Sequence, residues 1–195
     1  MKKDIILAGV GGQGILSIAA SIGLAAVAAG LHLKQAEVHG MSQRGGDVQS
    51  NLRLSDKPVA SDLIPFGKAD MILSVEPMES LRYLPWLSPN GHLITNSTVF
   101  NNIPNYPPKE SVIAEIEKVH NHIIIDADAI AKEIGSARSA NMVILGAAIP
   151  FLEIDYSHFE TAIQQLFGKK GEDVVKINIE AMKAGEAFAR NYILE

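Results

Sequence analysis

Apolar and polar positions along the 195-residue chain change period several times, and each change marks an element. Ile5-Ile6-Leu7-Ala8 is a short continuous apolar run that passes through Gly9, Gly11, Gly12 and Gly14 into a second apolar stretch ending near Ala29. The first run predicts a buried strand over Asp4–Ala8. The second predicts a helix over Gly14–Ala29, with Gly30 as its stop. Leu31–Glu37 reads as another strand, and a short βαβ unit is expected to pair it parallel to the first.

Further on, Val48, Leu52 and Leu54 alternate with Gln49, Asn51 and Arg53. That pattern predicts a half-buried strand near a sheet edge or an interface. Met71–Val75, Leu93–Asn96 and His122–Asp126 are short apolar runs suited to core strands, with Pro77 placed to open a helix after Glu76. Phe100–Glu110, rich in Asn and Pro, reads as a surface loop. Helical spacing dominates afterwards, over Ala127–Ile134, Ala140–Ala148, Ser157–Phe167 and Asp173–Tyr192. In the last of these Val174, Ile177, Ala181, Ala184 and Phe188 mark the apolar stripe. No repeat or linker divides the chain. The expectation is one domain over residues 1–195, an α/β/α sandwich built on a doubly wound, mostly parallel, Rossmann-like sheet.

The first turn carries candidate chemistry. Gly9, Gly11 and Gly14 satisfy G-x-G-x-x-G, which points backbone N–H groups and a helix N-terminus at an anion. A dinucleotide site also wants an acidic residue about 20 positions onward, and Glu37 sits roughly there. Gly12 and Gln13 argue for something broader, a bare backbone nest open to any anion or to a partner's backbone. A tight, closely packed turn without a ligand would use the same residues. The second candidate is Ser42-Gln43-Arg44-Gly45-Gly46. The Arg44 fork suits carboxylate or phosphate, and the paired glycines let the chain turn toward the ligand-binding edge of the sheet. A solvated loop arginine is the plain alternative.

Other polar groups have simpler explanations. His120 and His122 would share a strand face near Asp126 and Asp128, a spacing that can ligate metal, but solvent-facing strand-end histidines are commoner. Glu76 and Glu79 suit a helix N-terminus. Asn96 and Asn141 suit caps or turns. Ser17 lies in no G-x-S-x-G elbow, and Trp86 and the tyrosines form no stacking platform.

Composition narrows the classes. Hydrophobic residues make up 47% and charged residues 20%, as in ordinary globular proteins. A net charge of -5 supplies no general attraction for nucleic acid or an anionic membrane. The absence of cysteine excludes disulfides and thiolate-held iron–sulfur clusters within this chain. The N-terminal apolar run is broken by glycines and resembles neither a signal peptide nor a membrane span, so a soluble cytoplasmic protein is expected.

Gly9-Val10-Gly11-Gly12-Gln13-Gly14-Ile15-Leu16, followed by Glu37-Val38-His39-Gly40-Met41-Ser42-Gln43-Arg44-Gly45-Gly46, resembles the gamma-type subunit of the 2-oxoacid:ferredoxin oxidoreductase family. The second string is most similar to the indolepyruvate branch. Leu52–Asp56, Asn141–Gly146 and Asn178–Gly185 extend the likeness over nearly the whole chain. The resemblance implies a complex that decarboxylates a 2-oxo acid on thiamine diphosphate, passes electrons through iron–sulfur clusters to ferredoxin, and releases an acyl-CoA. It implies that this chain is the small subunit. Thiamine diphosphate, magnesium, iron–sulfur clusters and coenzyme A then belong on or with a large alpha subunit, because this chain has neither cysteine nor a Gly-Asp-Gly diphosphate motif.

Gly9, Gly11, Gly12, Gln13, Gly14, Ser42, Gln43, Arg44, Gly45 and Gly46 are the resulting candidates for contact with the partner or an anionic group. No catalytic residue and no metal ligand is assigned. Three rivals stay open: a sister subunit of a pyruvate or branched-chain complex, a stand-alone NAD-binding protein with Glu37 on a ribose, and a non-catalytic scaffold. Whether the isolated chain forms a homodimer also stays open.

Overall fold

The structure, a computed structural model, describes residues 1–39, 45–101 and 103–194. Its strands are β1 (Lys2–Val10), β2 (His32–His39), β3 (Asp47–Ser55), β4 (Ala69–Ser74), β5 (Leu87–Asn96) and β6 (His122–Ile125). They form one sheet in the order β2-β3-β1-β4-β5-β6. The helices are α1 (Ile15–Ala28), α2 (Pro77–Arg82), α3 (Lys109–Ile116), α4 (Ala127–Glu133), α5 (Ala140–Ala148), α6 (Tyr156–Phe167) and α7 (Glu172–Leu194). Among the described residues no helix is long and apolar enough to cross a membrane.

β1, β4, β5 and β6 pair parallel, as a doubly wound sheet requires. The expected parallel pairing of β1 with β2 does not occur. β3 lies between them and is antiparallel to both, with Ile5 opposite Leu52 and Leu52 opposite Gln35. The reason is connection length. Only seven residues, 40–46, join β2 to β3. That suffices for a hairpin and is too short for a crossover. β3 is therefore an interior strand rather than an edge.

The polar positions of β3 also differ from the expectation of a solvated face. Asn51 is buried and accepts from the Ile64 N–H at 3.4 Å. Arg53 donates through Nε to the buried Asp4 carboxylate at 2.8 Å and through Nη1 to the Ser61 and Leu63 carbonyls, each at 3.0 Å. These bonds hold the segment after β3 across that face of the sheet.

Successive β1 side chains enter opposite cores. Ile5 and Leu7 pack with α1, α5, α6 and α7, whereas Ile6 and Ala8 join the smaller core under α2 and α3. α5 is buried throughout Met142–Ala148, with the sheet on one side and α7 on the other. Two glycines permit that approach. A Cβ on Gly146 would lie 2.0 Å from the Met182 carbonyl oxygen, and one on Gly185 would lie 1.9 Å from that of Val143. The buried seam of α7 accordingly runs through Val175, Asn178, Ala181, Met182, Gly185 and Ala189. It is centred on small residues beside the expected stripe, of which only Ala181 is fully buried.

Candidate functional site

β1 delivers its last residue, Val10, to the C-terminal edge of the sheet, where the glycine turn begins. The Gln13 side chain folds back to accept from the Val10 N–H at 2.8 Å, while its own N–H donates to the Val10 carbonyl at 3.1 Å. The amide is thus used to brace the turn from within. Gly9 lies so close to β4 that a Cβ would come within 2.3 Å of Val75 Cγ2. Gly14 opens α1 in the left-handed region, φ 82°, with no side-chain cap, a conformation that favours glycine. Its carbonyl receives Asn141 Nδ2 at 3.2 Å, which ties α5 to the turn. Asn141 is thereby a cross-link between two elements, rather than the cap or turn residue expected of it.

The N–H groups of Gly12, Gly14, Ile15 and Leu16 have no hydrogen-bond partner among the described residues. Four bare donors at the start of a 14-residue helix favour negative charge. The start of β3 closes the other side: Gly11 N–H donates to the Gly46 carbonyl at 2.8 Å, and Gly45 N–H to the Gly11 carbonyl at 3.4 Å. The two sequence motifs therefore meet through Gly11, Gly45 and Gly46. Ser42, Gln43 and Arg44 lie outside the described residues.

Beside the turn is a cavity of about 780 Å³. Gly12, Gln13 and Gly14 form one wall, and Asp128, Arg138, Asn141, Lys170 and Asn178 contribute polar groups from α4 to α7 and their connections. Sequence reasoning singled out the turn and Asn141 but missed Arg138, Lys170 and Asn178. Arg138 and Lys170 follow ordinary-looking polar stretches, and only the packing of α4–α7 brings them opposite the glycines.

Glu37 is not brought to the turn. It lies opposite Ser50 of β3, which in turn lies opposite Leu7 of β1. Two strand spacings of about 4.8 Å each therefore separate it from β1. A ribose-binding acid needs the adjacent strand end, so the spacing that suggested NAD does not produce that geometry.

The remaining polar residues are engaged structurally. Glu76 caps α2 by accepting from the Glu79 N–H at 2.8 Å, and also accepts from the Phe100 N–H at 3.3 Å and from the Tyr106 hydroxyl. Burial and that bond to Glu76 hold the Tyr106 phenol far above its ordinary range, so it stays a donor. Asp126 caps α4 by accepting from the Ala129 N–H at 2.9 Å, whereas Asn96, at the end of β5, accepts from the Ala127 N–H at 3.1 Å and donates to Asp128 at 2.7 Å. β6 begins only at His122, so His120 is not on the strand. The His122 ring contacts the Val119 carbonyl at 2.7 Å and the Tyr192 hydroxyl at 3.3 Å. No group of His, Asp or Glu suited to a metal ion occurs among the described residues.

Fold and site together define an α/β domain with a glycine turn and an adjoining cavity at the C-terminal edge of a mixed sheet. The chain belongs to the pyruvate ferredoxin/flavodoxin oxidoreductase family, whose pattern matches residues 4–188. It is 36% identical over 194 residues to the indolepyruvate oxidoreductase subunit IorB of Archaeoglobus fulgidus, spanning 95% of this chain and 94% of that one. Its fold matches the gamma subunit of a keto/oxoacid ferredoxin oxidoreductase from Geobacter sulfurreducens, with TM-score 0.70, 23% identity, and coverage of 97% and 99% of the two chains. It also matches 31% of a longer chain, a 2-oxoglutarate:ferredoxin oxidoreductase from Magnetococcus marinus solved with 2-oxoglutarate, coenzyme A and succinyl-CoA. There the TM-score is 0.76, with 24% identity and 97% of this chain covered.

Proposed function

We propose that this chain, as one gamma-type domain over residues 1–195, is the small subunit of a cytoplasmic indolepyruvate:ferredoxin oxidoreductase. The observation that carries the reading is its identity to IorB over almost the full length of both proteins. The complex oxidatively decarboxylates an aryl pyruvate to the acyl-CoA and reduces ferredoxin. When bound, thiamine diphosphate with magnesium supplies the carbanion chemistry, and iron–sulfur clusters with coenzyme A complete the oxidation and acyl transfer. The residues of this chain do not fit the clusters or the metal: it has no cysteine, and no metal-suited cluster of side chains occurs among the described residues. Those groups therefore belong to a larger partner subunit. The match to under a third of a longer chain supports the same division, since there the equivalent fold is one part of a larger polypeptide.

Within the complex, the bare donors of the Gly11–Gly14 turn and the Arg44 guanidinium contact the partner or an anionic group of substrate or coenzyme A. Gly9, Gln13, Gly45 and Gly46 shape that edge. The test is Arg44→Ala in the complex reconstituted with its thiamine-carrying partner. Turnover or assembly is expected to fall by about tenfold or more, the loss of one charge-assisted contact. Normal kinetics together with normal assembly would remove Arg44 from the site.

A further inference from the structure

We propose that a second copy of this chain covers the β2 edge of the sheet and the outer side of α1, forming a two-fold dimer. α1 contains no charged residue, and its only polar side chains are Ser17 and Ser21. Its inner side packs on the core, yet its outer side is just as apolar. Leu16 is 58% and Val27 59% exposed, with Ala20 and Leu24 half-buried between them. A surface helix carries polar residues outward, and one that is apolar all round is a covered helix. The stripe adjoins β2. A Cβ on Gly23 would lie 3.0 Å from Leu33 Cδ2, so α1 passes over that strand, and Leu16, Ala20 and Val27 lie within about 60° of Gly23 around the helix. β2 ends the sheet, and among the described residues no strand pairs with its outer side. It is eight residues long and holds no proline, which leaves a bare row of backbone donors and acceptors. The opposite edge is guarded: β6 has four residues, and α7 brings the Tyr192 hydroxyl to 3.3 Å from His122.

One two-fold axis normal to the sheet satisfies both surfaces. Antiparallel self-pairing keeps every side chain on its own face only when it is centred on a residue. β1 and β2 run the same way, each being antiparallel to β3, so α1, which joins them, runs the other way. From Leu33, beneath Gly23, to Gln35 is about 7 Å along β2. That equals about four to five residues back along α1, close to Ala20. An axis at Gln35 therefore passes near Ala20 as well. There Leu16 faces Leu24 of the second copy across two small Ala20 side chains, and apolar stripe meets apolar stripe. In the paired strands Gln35 meets its own copy. Its amide donates to Ser50 Oγ at 3.1 Å and keeps a second N–H for that contact. Lys34 meets Ala36, and Leu33 meets Glu37. Glu37 of one copy thus lies alongside His32 and Lys34 of the other, so opposite charges adjoin and like charges do not. Centring on Lys34 would oppose two ammonium groups, and centring on Glu37 two carboxylates. The contact is isologous and closes on itself.

The experiment is sedimentation equilibrium of the full chain at micromolar concentration. The expected mass is twice the 21.0 kDa of one chain. Leu16→Glu buries a charge against the second copy, while Gln35→Glu and Gln35→Lys each set like charges on the axis. Each variant is expected to weaken association about a hundredfold. Both positions are exposed in the single chain, so the circular dichroism spectrum of each variant should match wild type. An equimolar mixture of Gln35→Glu and Gln35→Lys chains should recover the dimeric mass, because opposite charges then face each other. Rescue of that kind requires a self-facing residue and distinguishes a second copy from any other occupant. A full chain that stays monomeric throughout the micromolar range overturns the proposal, as does a dimer indifferent to all three substitutions. A monomeric chain whose Leu16→Glu variant no longer assembles with the larger subunit overturns it too, and assigns the face to that subunit.

Discussion

Gly12 in the first turn and Gly185 in the last helix are glycines for unrelated reasons. A Cβ on Gly12 would meet nothing within 4 Å, yet its φ of +102° disfavours any other residue. Gly185 has an ordinary helical backbone and no room, because the Val143 carbonyl lies where its Cβ would be. The turn needs glycine to free backbone donors at the edge of the sheet. The α5–α7 crossing needs it so that two helices can touch main chain to main chain. On the proposed reading function concentrates at the first, whereas the second serves packing.

Gly185→Ala tests the crossing. Forcing a methyl against a backbone carbonyl should cost about 3 kcal/mol even after the gain in helix propensity. For a chain of this size that lowers the thermal midpoint by about 10 °C. A midpoint within a degree or two of wild type would mean the helices shift freely and the crossing is no constraint. Gly14→Ala lies between the two classes, since it combines φ +82° with a clash at Asn141. About 2 kcal/mol is expected, with loss of the Asn141 bond. Gly12→Ala should cost only about 1 kcal/mol, roughly 3 °C, and should depress activity of the complex far more than stability. Equal losses in both would dissolve the distinction.

The smallest effect lies at the opposite edge of the sheet. Burial and the neighbouring Lys3 depress the His92 imidazole below its ordinary value, and its ring packs on Phe151 at 4.3 Å. A depressed folded-state value means the imidazole contributes stability above its unfolded value, near 6.5. That contribution declines as pH falls through the folded value. Thermal midpoints at pH 7 and pH 5 should therefore differ more for wild type than for His92→Gln. Identical pH profiles for the two proteins would rule this out.

Much of this was legible in the chain because local chemistry decided it. The Ala140–Ala148 helix, the Pro77 start and the stop at Gly30 follow from apolar period and from fixed or permissive backbone angles. The insertion of β3 was not legible, because an alternating strand reads the same at an edge or under a covering segment. Only the Arg53 and Asn51 contacts reveal the cover. α3 was missed because eight residues with Val112 and Ile116 buried carry too short a period to distinguish from the preceding loop. At the site, the glycine turn announced itself, whereas Arg138, Lys170 and Asn178 are brought together only by tertiary packing. A stripe of small residues through Ala181 and Gly185 was the one sequence signal that could have pointed to the α5–α7 crossing.

The most direct measurement is indolepyruvate- and coenzyme A-dependent reduction of ferredoxin by this chain combined with its thiamine-carrying partner. The account predicts that neither protein alone sustains turnover and that the mixture does, with indolepyruvate preferred to pyruvate and 2-oxoisovalerate. Full activity of the partner without this chain, or an assembled pair inactive on every 2-oxo acid, would contradict it.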